Sequence, residues 1–184
     1  DDLDCIVRTD RAPLELIYPQ PSAADQAIAR NVAALIEDGA TLQFGLGALP
    51  ETILARLADR RDLGVHSGAI GDQVALLMQA GTINNARKSI DRGHTIAGVM
   101  FGGKRLHDFA HDNRQIQFRS PAYTHGAGVL AQIDNFVALN SAVEVDLTGQ
   151  INAEVAAGVY VGGVGGAGDF LRAAQRSRGG LPVV

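Results

Sequence analysis

The chain has 184 residues, 46% of them hydrophobic, which is enough for one α/β domain with a sizeable core. The formal net charge is −4 at pH 7 and Lys and Arg form no run, so the sequence offers no electrostatic basis for nucleic-acid binding. A single cysteine, Cys5, excludes an internal disulfide, and no apolar run reaches the roughly 18 residues of a membrane span. We therefore expect a cytoplasmic protein without a nucleic-acid or membrane partner.

The predicted elements begin after residues 1–21, which contain three prolines and are expected to be a linker leading into a domain at 22–184. Ser22 and Asp25 have the spacing of a capping box and predict a helix that Gly39 ends. The strands predicted after it are 40–44, 63–67, 95–101, 116–120, 135–146 and 153–163, and the helices are 51–60, 72–81, 104–113 and 167–177. This alternation predicts an α/β fold with an open, mainly parallel sheet and helices on both faces.

Both ends of the chain are expected to be cut. The first residue is Asp, and residues 179–184 read as a strand that is just beginning. We therefore expect a fragment of a larger protein, with its domain truncated at the C-terminal end.

Glu144 is an acid between two valines, inside a run that the sequence predicts to be a strand. Burying a carboxylate costs free energy unless the group is paired, hydrogen-bonded or protonated. Strand alternation places Asn140, Glu144 and Asp146 on one face, where two carboxylates so close tend to raise the pKa of one of them. Either this face is the solvated end of a strand, or Glu144 has a chemical role.

Two glycine-rich turns are candidate ligand sites. The first contains Gly45 and Gly47, follows a predicted strand, and can face a crevice at the carboxyl end of that strand. The second contains a literal G-x-G-x-x-G at Gly163–Gly168, although the acidic residue of a dinucleotide fingerprint would lie about 20 positions on, beyond the last residue. It has three interpretations: close packing of a strand and a helix, a nicotinamide site, or a site for another phosphate- or pantetheine-bearing ligand.

Other kinds of catalytic centre find little support in the sequence. His107 and His111 lie four residues apart on a predicted helix, but they lack a third ligand, so we expect no metal. The G-x-S-x-G pattern of a serine hydrolase is absent from the sequence, and Cys5 in the expected linker is a poor nucleophile candidate.

Five blocks of the sequence carry a resemblance to a known family. They occur in the order TLQFGLGALPETILARL, LGVHSGAIGD, AGTINNARKSID, NSAVEVDLTGQINAE and GGVGGAGDFLRAAQRSRGG. Together they resemble the acetyl-CoA hydrolase/transferase family, which includes acetate, butyrate and 4-hydroxybutyrate CoA-transferases. The resemblance covers nearly the whole chain and implies an open α/β sheet of the CoA-transferase type (NagB/RpiA-like). Members are more than twice as long, so it also implies the middle and early C-terminal part of a two-lobed protein.

The resemblance implies that Glu144 is a nucleophile that forms a glutamyl-CoA thioester during transfer of CoA between short-chain acyl groups, or during acyl-CoA hydrolysis. It implies three supporting groups of residues: oxyanion or cleft contacts, CoA contacts, and residues that orient the nucleophile. These are respectively Gly45 and Gly47; Gly163, Gly165 and Gly166; and Asn140 and Asp146. The expected partners are acyl-CoA, small carboxylates, the rest of its own chain and further copies of itself, with CoA as a substrate and no tightly bound cofactor.

Two other hypotheses stay open at this stage. One is an NAD(P)-binding oxidoreductase domain that uses the turn at Gly163–Gly168. The other is a non-catalytic fragment that folds only against the rest of its protein. The sequence leaves open the acyl chain, the choice between transfer and hydrolysis, the oligomeric state, and whether these 184 residues are active alone.

Overall fold

The computed structural model describes residues 4–163 and 165–184. The described helices are α1 (Ala23–Ala33), α2 (Ala48–Ala55), α3 (Asp72–Gln79), α4 (Lys104–Ala110), α5 (Pro121–Thr124), α6 (Ala127–Leu130) and α7 (Ala167–Arg176). The described strands are β1 (Thr41–Phe44), β2 (Gly64–Ile70), β3 (Thr95–Met100), β4 (Ile116–Phe118), β5 (Phe136–Leu139), β6 (Glu144–Val145), β7 (Ile151–Asn152), β8 (Val155–Ala156), β9 (Val159–Tyr160) and β10 (Leu181–Val183). Within these ranges no helix is long and apolar enough to cross a membrane.

Six strands form the main sheet in the order β10-β5-β1-β2-β3-β4. All five of its strand pairings are parallel, so the expected open parallel α/β sheet is confirmed. The other four strands form two separate antiparallel hairpins, β6–β7 and β8–β9. Residues 121–128, which the sequence predicts to be a loop, contain the short helix α5 and the first two residues of α6.

The core lies in two layers, one on each face of the sheet. Alternation along β5 sends Val137 and Leu139 into a large apolar cluster with α1, α2, α3 and α4. The same alternation sends Phe136 and Ala138 into a second cluster, where they pack with residues of α6 and α7 such as Phe170. Helices therefore cover both faces, as parallel sheets require.

The start of α1 is fixed by the predicted capping box. Ser22 Oγ accepts the N–H of Asp25 at 3.1 Å, and Asp25 Oδ2 accepts the N–H of Ser22 at 2.8 Å. The helix ends at Ala33, earlier than predicted, and Gly39 with φ +80° lies in the turn that leads into β1. Residues with a side chain rarely adopt that backbone conformation, whereas glycine adopts it readily.

Carboxylates from neighbouring elements cap α3 and α4, whose own N-cap residues are Gly71 and Gly103. Glu51 of α2 accepts the N–H of Gln73 at 2.9 Å, and Asp72 of α3 accepts the N–H of Gly103 at 2.9 Å. Such contacts satisfy orphan amides and complement the helix dipole. Helices α2, α3 and α4 begin at the carboxyl ends of β1, β2 and β3. The two carboxylates therefore link the N-termini of these three helices to one another.

The segment before α1 is hydrogen-bonded to the domain near Gly102 and Lys104. Residues 4–21 contain neither helix nor strand and are largely exposed. The N–H of Leu16 nevertheless donates to Gly102 O at 3.0 Å, and Glu15 Oε2 accepts the N–H of Lys104 at 2.9 Å. The segment is thus joined to the loop after β3 and to the start of α4.

The prediction of one strand over residues 135–146 is wrong, because β5 ends at Leu139. Its neighbours β1 and β10 end opposite Leu139, at Phe44 and Val183. Beyond these residues the neighbouring strands provide few backbone partners for a longer β5. The N–H of Asn140 makes a last bond to Val183 O at 3.0 Å, and the chain then leaves the sheet. The predicted strand 153–163 is likewise replaced by the β8–β9 hairpin.

Candidate active site

The order of the strands marks one place on the sheet as a candidate site. From β1 the chain proceeds outward through β2, β3 and β4, whereas β5 and β10 lie on the other side of β1. Ligands of open parallel sheets bind at the carboxyl ends of the strands where the order reverses. Here that point lies between β1 and β5, where the turn with Gly45 and the segment that begins at Asn140 emerge.

Two amide side chains join β1 and β5 at this point. Asn140 Nδ2 donates to Gln43 Oε1 at 3.0 Å, and Gln43 Nε2 donates to Asn140 Oδ1 at 3.4 Å. Gln43 is buried, so each amide satisfies polar atoms of the other that would be costly to leave unpaired. The pair fixes the start of the segment that leads to Glu144.

Glu144 lies on the β6–β7 hairpin, five residues beyond the end of β5, and it is exposed. It pairs across the hairpin with Asn152, and its Oε2 accepts a hydrogen bond from Asn152 Nδ2 at 3.1 Å. Asn152 is itself held, because its Oδ1 accepts the N–H groups of Glu154 and Val155, both at 3.0 Å. The sequence interpretation missed Asn152, although it belongs to the same block as Glu144. The eight-residue spacing across a tight hairpin is the pattern that could have identified it.

Asp146 has a local structural role. Its Oδ1 accepts hydrogen bonds from the N–H of Thr148, the hydroxyl of Thr148 and the N–H of Gln150, at 2.8, 2.7 and 3.0 Å. These donors lower the pKa of the Asp146 carboxyl, Thr148 contributing most. Strand β6 ends at Val145, before Asp146. The rise in pKa that the sequence predicted for one of the two carboxylates is not found at Asp146, because its donors stabilise the charged form.

The two glycines of the first turn differ in what their backbone does. The N–H of Gly45 donates to Leu139 O at 3.1 Å and extends the contact between β1 and β5. Gly47 is the N-cap of α2 with φ +132°, a conformation that side-chain-bearing residues rarely adopt. The backbone N–H of Gly45 is thus used within the sheet. The conformation of Gly47 sets the direction in which α2 leaves the end of β1.

The second glycine turn precedes α7, whose N-cap is Gly166. Its Val164 lies outside the described residues. A Cβ on Gly166 would overlap the ring of His125, and one on Gly68 in β2 would lie 3.1 Å from the same ring. The His125 ring also packs against the Phe170 ring in a tilted arrangement, with 4.5 Å between centroids and 46° between the ring planes. The imidazole therefore lies between the sheet and the start of α7, which leaves room only for glycine at position 166.

The G-x-G-x-x-G pattern lacks the context of a dinucleotide fingerprint. That fingerprint needs a parallel strand directly before the turn. The strand before it here, β9, belongs to a two-stranded antiparallel hairpin. The expectation that a sheet strand precedes the turn is wrong, and the structure gives the oxidoreductase interpretation no support.

A cluster of buried polar side chains lies on the face of the sheet that α5 covers. It includes Lys88 and His66. Lys88 is only 1% exposed and donates from Nζ to Val65 O at 2.9 Å and to His94 O at 2.7 Å. His66, at 0% exposure, has Nε2 3.1 Å from Thr124 O and Nδ1 4.0 Å from Asp91 Oδ2.

Burial lowers the pKa of His66 to about 4, with the charge of Lys88 adding to the effect, and burial lowers the pKa of Lys88 to about 8. The sequence interpretation assigned no role to either residue. A lysine among polar residues is expected to lie on the surface. The sequence does not show which backbone carbonyl groups will accept hydrogen bonds from its ammonium group.

A second perturbed group is Glu51, near the carboxyl ends of β1 and β2. The pKa of the Glu51 carboxyl is raised to about 7, chiefly by burial; the hydrogen bond from Gln73 opposes this rise and the nearby Asp72 adds a smaller part of it. A Cβ at Gly71 would overlap Glu51 Oε1, so the carboxylate is packed directly on the backbone there. Glu51 is a titrating group at the same sheet edge as the glycine turn.

The structure supports no metal centre in its described part. Residues 4–163 and 165–184 contain no group of three or more His, Cys, Asp or Glu side chains that could hold a metal ion. His111 contacts Asp112 at 3.6 Å on the exposed end of α4.

The sequence was compared with family models and with known proteins. Residues 102–184 match the model of the acetyl-CoA hydrolase/transferase C-terminal domain. The whole chain is 40% identical over 183 residues to a 4-hydroxybutyrate coenzyme A transferase of Clostridium kluyveri. The alignment covers 43% of that protein, so the chain spans less than half the length of this relative.

Solved structures agree with the sequence comparison. The crystal structure of RipA from Yersinia pestis superposes with a TM-score of 0.84 at 32% identity, covering 92% of this chain and 38% of that one. A 4-hydroxybutyrate CoA-transferase from Porphyromonas gingivalis gives 0.77 at 33% identity, covering 90% of this chain and 40% of the other. With its six-stranded parallel sheet and its similarity along the whole sequence, the chain belongs to the acetyl-CoA hydrolase/transferase family of enzymes.

Proposed function

We propose that the protein is an acyl-CoA:carboxylate CoA-transferase whose nucleophile is Glu144. The observation that carries the proposal is the position of this carboxylate. It is exposed, tethered by Asn152, and lies just beyond the point where the strand order reverses. An exposed carboxylate on a short hairpin can be reached by an acyl thioester, and a fixed hydrogen bond orients the attacking oxygen.

In the proposed reaction a Glu144 oxygen attacks the thioester carbonyl of an acyl-CoA. The C–S bond breaks, CoA leaves as thiolate, and a mixed anhydride of Glu144 and the acyl group remains. The thiolate then attacks the glutamyl carbonyl, which expels the carboxylate product and leaves CoA on Glu144 as a thioester. An acceptor carboxylate reverses these steps and leaves as its CoA ester, as expected for covalent catalysis with ping-pong kinetics.

The glycine turns supply supporting contacts in this proposal. Each tetrahedral intermediate needs N–H donors aimed at its oxyanion. Gly45 uses its N–H for Leu139 O, so the proposed donor is Gly47. Gly163, Gly165 and Gly166 are proposed to contact CoA before the start of α7, where backbone amides favour anionic groups.

Transfer is proposed over hydrolysis because two of the proteins described above, from Clostridium kluyveri and Porphyromonas gingivalis, are named transferases. Hydrolysis would follow the same path, except that water would cleave the glutamyl-CoA thioester. Acyl-CoA and small carboxylates are the proposed substrates, and the cytoplasm, as a reducing compartment, fits the exposed free thiol of Cys5. Assembly with further copies of the chain is proposed as well.

The decisive experiment is to trap the covalent intermediate. We incubate the full-length protein with acetyl-CoA and no acceptor, digest it, and measure the mass of the peptide that contains Glu144. We expect an adduct of CoA mass that disappears when acetate is added and is absent from Glu144→Gln. Glu154→Gln, a change of a nearby acid in the same block, is the matched control and should keep the adduct. Full activity of Glu144→Gln would rule the proposal out.

A further inference from the structure

Residues 15–18 lie across the starts of three helices. Two hydrogen bonds join Glu15 and Leu16 to the loop before α4 and to its first residue. Tyr18 and residues at the starts of α2 and α3, among them Glu51, line one cavity of about 260 Å³. We propose that residues 15–18 form a strap that opens and closes over these helix starts, and that the carboxyl group of Glu51 makes its closure depend on pH.

Three carboxylates meet under the strap. A Cβ on Gly103 would lie 3.3 Å from Glu15 Oε2 and 3.7 Å from Asp72 Oδ2, so these two acids share the start of α4. Glu51 lies on the other side of Asp72, because its Oε2 accepts the N–H of the next residue, Gln73, at 2.9 Å. The closed strap therefore brings the charge of Glu15 to a place that already holds two acids.

The cations of this region have other partners. Lys104 donates from Nζ to both carboxylate oxygens of Asp108, at 2.7 and 2.6 Å. Arg56, which lines the cavity, donates from Nη2 to Gln26 Oε1 at 2.7 Å. Helix N-termini favour negative charge, but three carboxylates so close still repel one another. A proton held by one of them therefore stabilises the closed strap.

Glu51 is the acid that can hold this proton near neutral pH. Its pKa is raised from 4.5 to about 7, chiefly by burial. The pKa of Tyr18 is raised as well, chiefly by burial and next by the charge of Glu51, so the phenol stays neutral over the same range. Opening the strap hydrates Glu51 and returns its pKa toward 4.5. By linkage, the closed strap is most stable below pH 4.5, loses stability as the pH rises toward 7, and changes little above that.

Two unpaired polar atoms make the strap easier to open. The Tyr18 hydroxyl and Asp72 Oδ1 are both buried, and neither has a hydrogen-bond partner among the described residues. A buried polar group without a partner costs free energy, and opening the strap lets water bind it. Because Gly47 is the N-cap of α2, opening also uncovers the helix start beside the first glycine turn.

The test follows opening of the strap in the full-length protein by hydrogen exchange of the peptide that contains Leu16. The protection factor should fall by up to about tenfold per pH unit between pH 5 and pH 7 and then level off. Glu51→Gln keeps an acceptor for the N–H of Gln73 but has no proton to release, so its protection factor should stay near the wild-type value at pH 5. Glu37→Gln, which changes an exposed acid after α1, is the matched control and should behave like wild type. A wild-type protection factor that is independent of pH, or an equal fall in Glu51→Gln, would overturn the proposal.

The reciprocal measurement is the pKa of Glu51, obtained by carbon-13 NMR of its labelled carboxyl group. Tyr18→Ala removes the ring from the strap and should lower this pKa from about 7 toward 4.5. Ile17→Ala, at a neighbouring side chain that is 82% exposed, should leave it near 7. An unchanged pKa in Tyr18→Ala would show that the strap does not bury Glu51 and would also overturn the proposal. Neither measurement uses an acyl-CoA, so their outcomes are independent of the role proposed for Glu144.

Discussion

Gln43 and Asn140 exchange two side-chain hydrogen bonds across β1 and β5, at the point where the strand order reverses. We expect Gln43→Leu to destabilise the protein by about 1–3 kcal/mol, because it leaves the Asn140 amide without its partner. The double variant Gln43→Leu/Asn140→Leu should be closer to wild type than the sum of the single changes, because both polar groups are then removed. Thermal unfolding of the full-length protein measures this difference, and strictly additive losses would contradict the pairing.

Asn152 holds the Glu144 carboxylate from the opposite strand of its hairpin. We expect Asn152→Ala to lower kcat about tenfold to a hundredfold with little change in KM, since misplacing an attacking group by about 1 Å can cost a factor of that size. The thermal midpoint should hardly move, because the hairpin lies outside the main sheet. A variant with unchanged kcat would show that the hydrogen bond plays no part in the reaction.

Gly166 faces His125, whose ring occupies the space a Cβ would need. Its φ of −86° is accessible to any residue, so the constraint is steric alone. We expect Gly166→Ala to displace the start of α7 and to raise KM for CoA esters about tenfold or more. Combining it with His125→Ala should restore part of the lost affinity. If the second change brings no recovery, the ring is not the reason for the glycine.

Glu51 should make stability fall as the pH rises. Its pKa is about 7 in the folded protein, above the ordinary value of 4.5, so folding favours the protonated form. The resulting stability is fully present below pH 4.5 and is lost as the pH rises through about 7. Partial exposure of the carboxyl limits the effect to at most about 3 kcal/mol. Glu51→Gln, compared with wild type in thermal scans at pH 5 and pH 8, should remove this dependence and be relatively more stable at pH 8.

His66 should give the opposite trend in acid. Its pKa of about 4 lies below the ordinary 6.5, so folding favours the neutral ring. The stability linked to it is present above pH 6.5 and is lost as the pH falls through about 4, by about 2–3 kcal/mol in all. His66→Gln keeps a donor for Thr124 O without a titrating ring. It should therefore be less stable than wild type at pH 7 and approach it near pH 4.5; a constant difference between the two would contradict the assignment.

Local patterns predicted most of the parallel sheet and the start of α1. Ser22 and Asp25 are spaced for a capping box, and that box forms. The alternation of strands and helices predicted the sheet because each element buries its own apolar face. The end of β5 could not be predicted in this way, because it depends on where β1 and β10 end.

The backbone around Glu144 differs from the one that the sequence predicted, and the roles of the site residues stay predictions. Val143 and Val145 made residues 135–146 resemble a single strand, yet they are 41% and 61% exposed on a hairpin. Buried Lys88 was missed for a related reason, since its acceptors Val65 O and His94 O become neighbours only after β2 and β3 pair. Contacts between distant segments leave no local pattern in the sequence.

The hairpin that carries Glu144 makes its ladder bonds within itself, between β6 and β7, and none of its two-residue strands joins the six-stranded sheet. Selection can therefore act on this hairpin and on the scaffold independently. Sequence drift at Val145 or Leu147 alters what approaches the acid at little thermodynamic risk, whereas drift in Phe136–Leu139 threatens folding itself. Such a division lets the hairpin change in sequence while the foldability of the scaffold is preserved.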